Sequence, residues 1–154
     1  MDRLVECVPN FSEGRKPETI DALVHAIQAV PGVVVLDRQS DADHNRSVLT
    51  FIGPPESVGE AAFRAAEEAL HRINLTTHRG EHPRVGATDV IPFVPIRGVT
   101  LDDCVHLARL VGRRLAEELH IPVFLYEHAA KAAFRTRIED IRRGSLDEIG
   151  RAHV

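Results

Sequence analysis

The chain has 154 residues, 44% of them hydrophobic and 27% charged, with a formal net charge of -4. That length suits one domain with a real core, and the acidic balance argues against a general nucleic-acid binder, which would be basic. Met1-Asp2-Arg3-Leu4 has no signal-peptide layout, and the longest apolar runs fall far short of the ~20 residues a membrane helix needs.

Leu4 to Val8 is a short apolar run closed by Pro9-Asn10, which predicts a first strand. Ser12-Glu13-Gly14 reads as a turn, and Pro17 suits a first helical position. Ile20, Leu23, Val24 and Ile27 follow the i, i+3, i+4, i+7 rule, so residues 17–30 are expected to form an amphipathic helix stopped by Pro31-Gly32. Val33 to Leu36 reads as a buried strand. Asp37 to Asn45 is polar and loop-like, and Ser47 to Ile52 is β-rich. These two strands should pair antiparallel across a long connection.

Gly53-Pro54-Pro55-Glu56 opens a second helix whose buried stripe is Val58, Ala62, Ala65, Ala69 and Ile73. Asn74 to Asp89 is expected to be a long loop, followed by a strand over 90–96. Pro92 and Pro95 each remove a ladder donor there, which favours an edge position or a bulge. Thr100-Leu101-Asp102-Asp103 has the form of a capping box. The helix it opens carries Cys104, Leu107, Ala108, Val111 and Leu115 on one face. Ile121 to Tyr126 is a last strand, after which the sequence becomes charged. Two cysteines, Cys7 and Cys104, fall in a predicted strand and a predicted helix. They read as buried, reduced thiols of a cytoplasmic protein.

The order β-α-β-β-α-β-α-β places the chain in the α/β (α+β) class. Its β-α-β-β-α-β core is the ferredoxin-like pattern extended by a further α-β. A mixed sheet with helices packed on one outer face is the expected architecture. Residues 1–134 form the domain, and 135–154 read as a helical tail or linker. No predicted helix remains to cover the second sheet face. The runs 33–36 and 90–94 are apolar at consecutive positions, so that face should be covered by a partner or by a second copy in a homo-oligomer.

Three polar clusters carry the groups suited to chemistry. The most telling is Gly80-Glu81-His82-Pro83-Arg84-Val85-Gly86-Ala87-Thr88-Asp89. Histidine is the side chain that titrates near neutrality, Pro83 biases His82 away from helical backbone, and two glycines let the loop bend. Glu81 and Asp89 would orient the ring or raise its pKa. From the residues alone, His82 is either a general acid/base or a structural hydrogen-bonded histidine. The second cluster is Asp41-Ala42-Asp43-His44-Asn45-Arg46-Ser47. It starts like a calcium loop but lacks the glycine and the distal glutamate, so calcium fails. It presents Asn45 and Arg46 to a ligand, or it is a solvated turn. The third, Val8 to Gly14, offers Asn10, Ser12 and Glu13 at the end of a strand, where open α/β sheets tend to bind ligands; its alternative is a helix-initiating turn. Neither a phosphate-binding glycine loop nor a nucleophile elbow is present. His78 and His82 have an i, i+4 spacing, but Gly80 and Pro83 make a helix there unfavourable, and no metal is expected.

Taken together and in this order, the three clusters resemble the formiminotransferase family, the folate-dependent glutamate formimidoyltransferases. The resemblance rests on Leu4-Val5-Glu6-Cys7-Val8-Pro9-Asn10-Phe11-Ser12-Glu13-Gly14, on Asn45-Arg46 ahead of Phe51-Ile52-Gly53-Pro54-Pro55, and on Gly80 to Pro95. Leu115 to Leu119 and Pro122 to Tyr126 extend it over essentially the whole chain. It implies transfer of a formimino group from N-formimino-L-glutamate to tetrahydrofolate, in histidine breakdown, with His82 as the catalytic histidine. It also implies two α/β subdomains whose sheets face one another across the folate. On this reading the chain is the first subdomain and a C-terminal subdomain, or a second chain, completes the site. Candidate substrate-binding residues are Asn10, Glu13, Asn45, Arg46, Glu81, Arg84 and Asp89, with the two arginines suited to carboxylates. The rival readings are a folate-binding or assembly module without turnover, and an enzyme that cyclises formyl- or formimino-folate.

Overall fold

The computed structural model describes residues 3–73, 87–125 and the backbone of 152–153. Strand β1 (Leu4–Cys7) continues, after a break at Val8-Pro9, as β2 (Asn10–Phe11). Helix α1 (Pro17–Gln28) follows, then β3 (Val34–Asp41), β4 (Arg46–Gly53) and helix α2 (Pro55–Arg72). Past the segment 74–86 come β5 (Thr88–Val90), β6 (Phe93–Arg97), helix α3 (Leu101–Leu119) and β7 (Val123–Phe124), with β8 at Ala152–His153.

The β-α-β-β-α-β expectation holds. β4 pairs antiparallel with β3 along one side and with β1 and β2 along the other. β6 and β5 then flank β1 and β2, also antiparallel. Two broken strands thus occupy the centre and one edge, each interrupted next to a proline. Among the described residues the six-stranded sheet is thus antiparallel throughout, not mixed as the sequence suggested, and parallel pairing is confined to a separate two-stranded sheet of β7 and β8.

The helices form one layer, α1 against α2 and α2 against α3, on one face of this sheet. Strand β4 alternates accordingly. Ser47, Leu49, Phe51 and Gly53 are buried under the helices, while Arg46, Val48, Thr50 and Ile52 lie on the other face and are half-buried. The predicted stripes of α2 and α3 are all buried. Gly59 of α2 lies so close to α3 that a Cβ there would come 2.8 Å from Leu107. The Thr100 hydroxyl accepts from the Asp103 N–H at 3.1 Å, and the Asp103 carboxylate accepts from the Thr100 N–H at 2.9 Å, closing the expected capping box. Cys7 and Cys104 are buried free thiols.

Several sequence expectations need correction. The run Val33–Leu36, expected to be a buried strand, enters edge strand β3 with Val34 and Leu36 exposed. The polar run Asp37–Asn45 is mostly strand, because β3 continues to Asp41 at the sheet edge, where polar side chains sit in solvent. The β3–β4 connection is therefore the short turn 42–45, not a long loop. The loop ending at Asp89 ends sooner, since Thr88 and Asp89 already belong to β5. The strand over 90–96 divides at Ile91-Pro92 into β5 and β6, and Pro95 sits on the edge strand opposite Val5, as the missing donors demand. The last strand is only Val123–Phe124. The boundary at 134/135 and the helical tail lie outside the described residues, apart from β8.

The face away from the helices is open. One cross-strand row on it runs Val34, Ile52, Glu6, Val94. Val34 is 54% and Val94 40% exposed. The consecutive apolar residues thus mark a face that this chain does not cover among its described residues. No helix among them is long and apolar enough to cross a membrane.

Candidate active site

The second and third polar clusters converge at one end of the sheet. The Gly14 N–H donates to Asn45 Oδ1 at 2.8 Å, across 31 residues of sequence. Asn45 takes this position with a left-handed backbone, φ 51°, a region that asparagine tolerates better than most residues. The Arg15 guanidinium adds a second tie, donating to the Ala42 carbonyl at 2.7 Å. Gly14 is pressed so closely onto the β3–β4 turn that a Cβ would come 2.4 Å from the Asp41 carbonyl and 2.5 Å from the Arg46 nitrogen. Only glycine fits, for reasons of space rather than φ.

The described end of the first cluster, Ala87 to Asp89, joins them. Ser12 donates its N–H to the Ala87 carbonyl at 2.9 Å, and Phe11 pairs with Thr88. Asp89 is the extra residue of a bulge: Asn10 pairs with Val90 and Phe11 with Thr88, leaving Asp89 between them. Bulges re-aim side chains and recur beside functional sites. The Asp89 carboxyl is buried at 2% exposure.

Each candidate residue can now be located. Asn10 pairs with Val48 and is half-buried. Arg46, two residues before Val48 on β4, shares the open face; among the described residues no carboxylate pairs with it. Both lie on the open face, with the Asn10 amide donating to the Val8 carbonyl at 3.3 Å. Glu13 is different. It is buried, and its Oε2 accepts from the N–H groups of Arg15 at 3.1 Å and Lys16 at 3.2 Å, so it holds the turn that leads into α1. Asn45 likewise serves the protein's own backbone through Oδ1. Glu81, His82 and Arg84 lie outside the described residues, as does His78.

One pairing was missed at the level of sequence. Asp41 Oδ2 lies 2.6 Å from His44 Nδ1, and Asp41 Oδ1 accepts from the Asp43 and His44 N–H groups. The His44 ring, helped by its own backbone N–H, holds the Asp41 carboxyl below the usual carboxylate range. Its sequence signal is Asp-x-x-His in a turn, and the segment is bonded to itself where the composition suggests a ligand-facing or solvated turn. Arg15 was also overlooked, because a surface arginine carries no pattern of its own.

The arrangement yields an open, partly apolar sheet face with Asn10, Arg46 and a buried Asp89 at one end. The segment 74–86, which contains His82, lies between Ile73 and Ala87 of this scaffold. Such a face suits an extended ligand with a flat apolar part and an anionic end.

Residues 4–153 match the family model described as the formiminotransferase domain, N-terminal subdomain. The chain is 51% identical over 149 residues to the formimidoyltransferase-cyclodeaminase of Sus scrofa, covering 97% of this chain and 28% of that protein. It is 48% identical over 147 residues to the glutamate formimidoyltransferase of Streptococcus pyogenes, covering 96% of this chain and 49% of that one. The glutamate formimidoyltransferase of Thermoplasma acidophilum is 48% identical over 139 residues, with 90% and 46% covered. The chain thus spans about half the length of these shorter relatives and just over a quarter of the pig protein.

Proposed function

The chain belongs to the formiminotransferase family, as its N-terminal subdomain, and on that premise we propose that it supplies the catalytic half of a folate-dependent glutamate formimidoyltransferase. The substrates are N-formimino-L-glutamate and tetrahydrofolate, the products glutamate and 5-formimino-tetrahydrofolate, and the setting is cytoplasmic histidine degradation. The observation that supports this reading is the convergence of Asn10–Gly14, Asn45–Arg46 and Ala87–Asp89 on one end of a sheet face left uncovered by the described residues, through the Gly14–Asn45 and Ser12–Ala87 bonds.

The chemistry needs one group that can move a proton in both directions. A folate nitrogen attacks the amidine carbon and a C–N bond forms, giving a tetrahedral adduct. The bond from that carbon to the glutamate nitrogen then breaks. The attacking nitrogen loses a proton and the departing nitrogen gains one, so the transfer is redox-neutral. Imidazole as a side chain titrates near neutrality, and His82 takes the first proton and returns the second. Positive charge gathers on nitrogen in the adduct, and the carboxylates of Asp89 and Glu81 oppose it. Arg46 and Arg84 clamp the substrate carboxylates in bidentate fashion, and Asn10 hydrogen-bonds on the open face.

The open face docks a C-terminal subdomain, and folate lies between the two sheets. Half a cleft orients its ligands badly, and a misplacement of about an ångström can cost about a hundredfold in rate. The test assays the isolated chain, and the chain fused to or mixed with a C-terminal formiminotransferase subdomain, for formimino transfer beside direct folate titration. Turnover that appears only with the second subdomain is expected. Folate binding without turnover in the completed protein would favour a binding module instead. Turnover of formyl- or formimino-folate without glutamate release would favour a cyclising enzyme.

A further inference from the structure

We propose that Asn45 is a positioning residue of this site: it latches the Asn10–Gly14 segment onto the β3–β4 turn and thereby sets the spacing between Asn10 and Arg46. The inference rests on the formiminotransferase reading for the identity of the substrate, and on the structure for the latch itself.

Asn45 occupies a left-handed backbone conformation that glycine would adopt without cost. Its side chain is what makes it useful there. Oδ1 takes the N–H of Gly14 at 2.8 Å in a part-buried position, and Asn45 itself is only 6% exposed. The partner is equally specialised, since no side chain larger than hydrogen fits at Gly14 against the backbone of Asp41 and Arg46. Glu13 stiffens the same turn through the Arg15 and Lys16 N–H groups, and Arg15 reaches across to the Ala42 carbonyl. The two segments therefore move as one body. Arg46 follows Asn45 directly and Asn10 pairs with Val48 two residues further on. Any slack in the latch changes where the guanidinium stands relative to Asn10, and a bidentate carboxylate clamp is sensitive to that spacing.

The test uses the protein with both subdomains. Asn45→Gly keeps the left-handed backbone and removes the side-chain tie to Gly14. We expect KM for N-formimino-L-glutamate to rise about tenfold, the equivalent of one well-made hydrogen bond to a charged group, with kcat changed less than about threefold. The pH profile of kcat should stay in place, and Gly14 amide exchange should accelerate. Arg15→Ala loosens the same two segments, so its effect on KM should be non-additive with Asn45→Gly. A fall in kcat at unchanged KM would overturn the proposal, because Asn45 would then touch the reacting atoms. Unchanged KM despite faster Gly14 exchange would overturn it too, showing a latch that positions nothing. Absence of turnover in the unmutated two-subdomain protein would refute the functional reading, while Gly14 exchange would still report on the latch.

Discussion

Ser12 donates its backbone N–H to the carbonyl of Ala87 at 2.9 Å. One residue belongs to the segment after the first strand, the other to the end of the Gly80–Asp89 cluster, and 75 positions separate them by number (87 − 12). With Gly14 bound to Asn45, this places parts of three separate sequence motifs on one rim of the sheet.

Gly14 is the tightest point in it. A methyl group there would press on the backbone of Asp41 and Arg46 rather than on a movable side chain. Gly14→Ala should therefore destabilise the fold at or above the upper end of the about 1–3 kcal/mol typical of overpacking. Urea denaturation measures it; a wild-type midpoint would show that the two turns do not meet as described.

Glu13 is expected to act on stability before substrate. Glu13→Ala leaves the Arg15 and Lys16 N–H groups without their partner, at a cost of about 1–2 kcal/mol, comparable to a lost helix cap. Glu13→Gln keeps an acceptor oxygen and should lie nearer the unmutated protein in thermal unfolding. A Glu13→Gln protein of normal stability whose KM rises tenfold would instead make Glu13 a substrate ligand.

Helix and core positions were legible in the sequence because they follow a period. In the predicted stripe Ile20-Leu23-Val24-Ile27 all but the half-buried Val24 are buried, Cys104-Leu107-Ala108-Val111-Leu115 are buried as the spacing requires, and the Thr100–Asp103 capping box formed. Edge strand β3 was half hidden. Its second half, Asp37 to Asp41, is polar because one edge and much of both faces are in solvent, so composition said loop while the ladder with β4 says strand. Bulges were hidden as well: nothing local marks Leu36, Asp89 or Ile96 as the residue without a partner across the ladder. The residue types of the site were legible, but their division of labour was not. Glu13 and Asn45 looked like ligands' partners because nothing in the sequence says that backbone N–H groups 2 to 31 positions away would claim them.

The open sheet face should behave as a docking surface for the second subdomain. Val34 and Val94 are exposed on the row that includes Ile52. Val34→Asp and Val94→Asp should leave the stability of the isolated chain within about 0.5 kcal/mol, as surface changes do. Both should weaken association with a C-terminal subdomain supplied in trans, or self-association where the chain is alone, in sedimentation velocity. Unchanged association would exclude this face.

Asp103 offers a pH-dependent check on the fold. Its carboxylate accepts from the Thr100 N–H, with the Thr100 side chain also contributing, and both hold its pKa below the ordinary value. A folded pKa below the unfolded one stabilises the protein above the unfolded value, and that contribution disappears as pH falls through the folded value. Thr100→Val should move the Asp103 titration, followed by carboxyl carbon NMR, upward toward the ordinary carboxylate pKa. No movement would mean that the side-chain half of the box does not contribute.

The central claim, that His82 moves the proton, is tested most directly by the pH–rate profile of His82→Ala in the protein with both subdomains. The account predicts turnover lower by about a hundred- to ten-thousandfold, the range for a lost general acid/base, with folding and folate binding retained. The inflection near the imidazole pKa should vanish. Near-normal turnover in His82→Ala, with activity abolished instead by Glu81 or Asp89 substitutions, would contradict the account and assign the proton to a carboxylate.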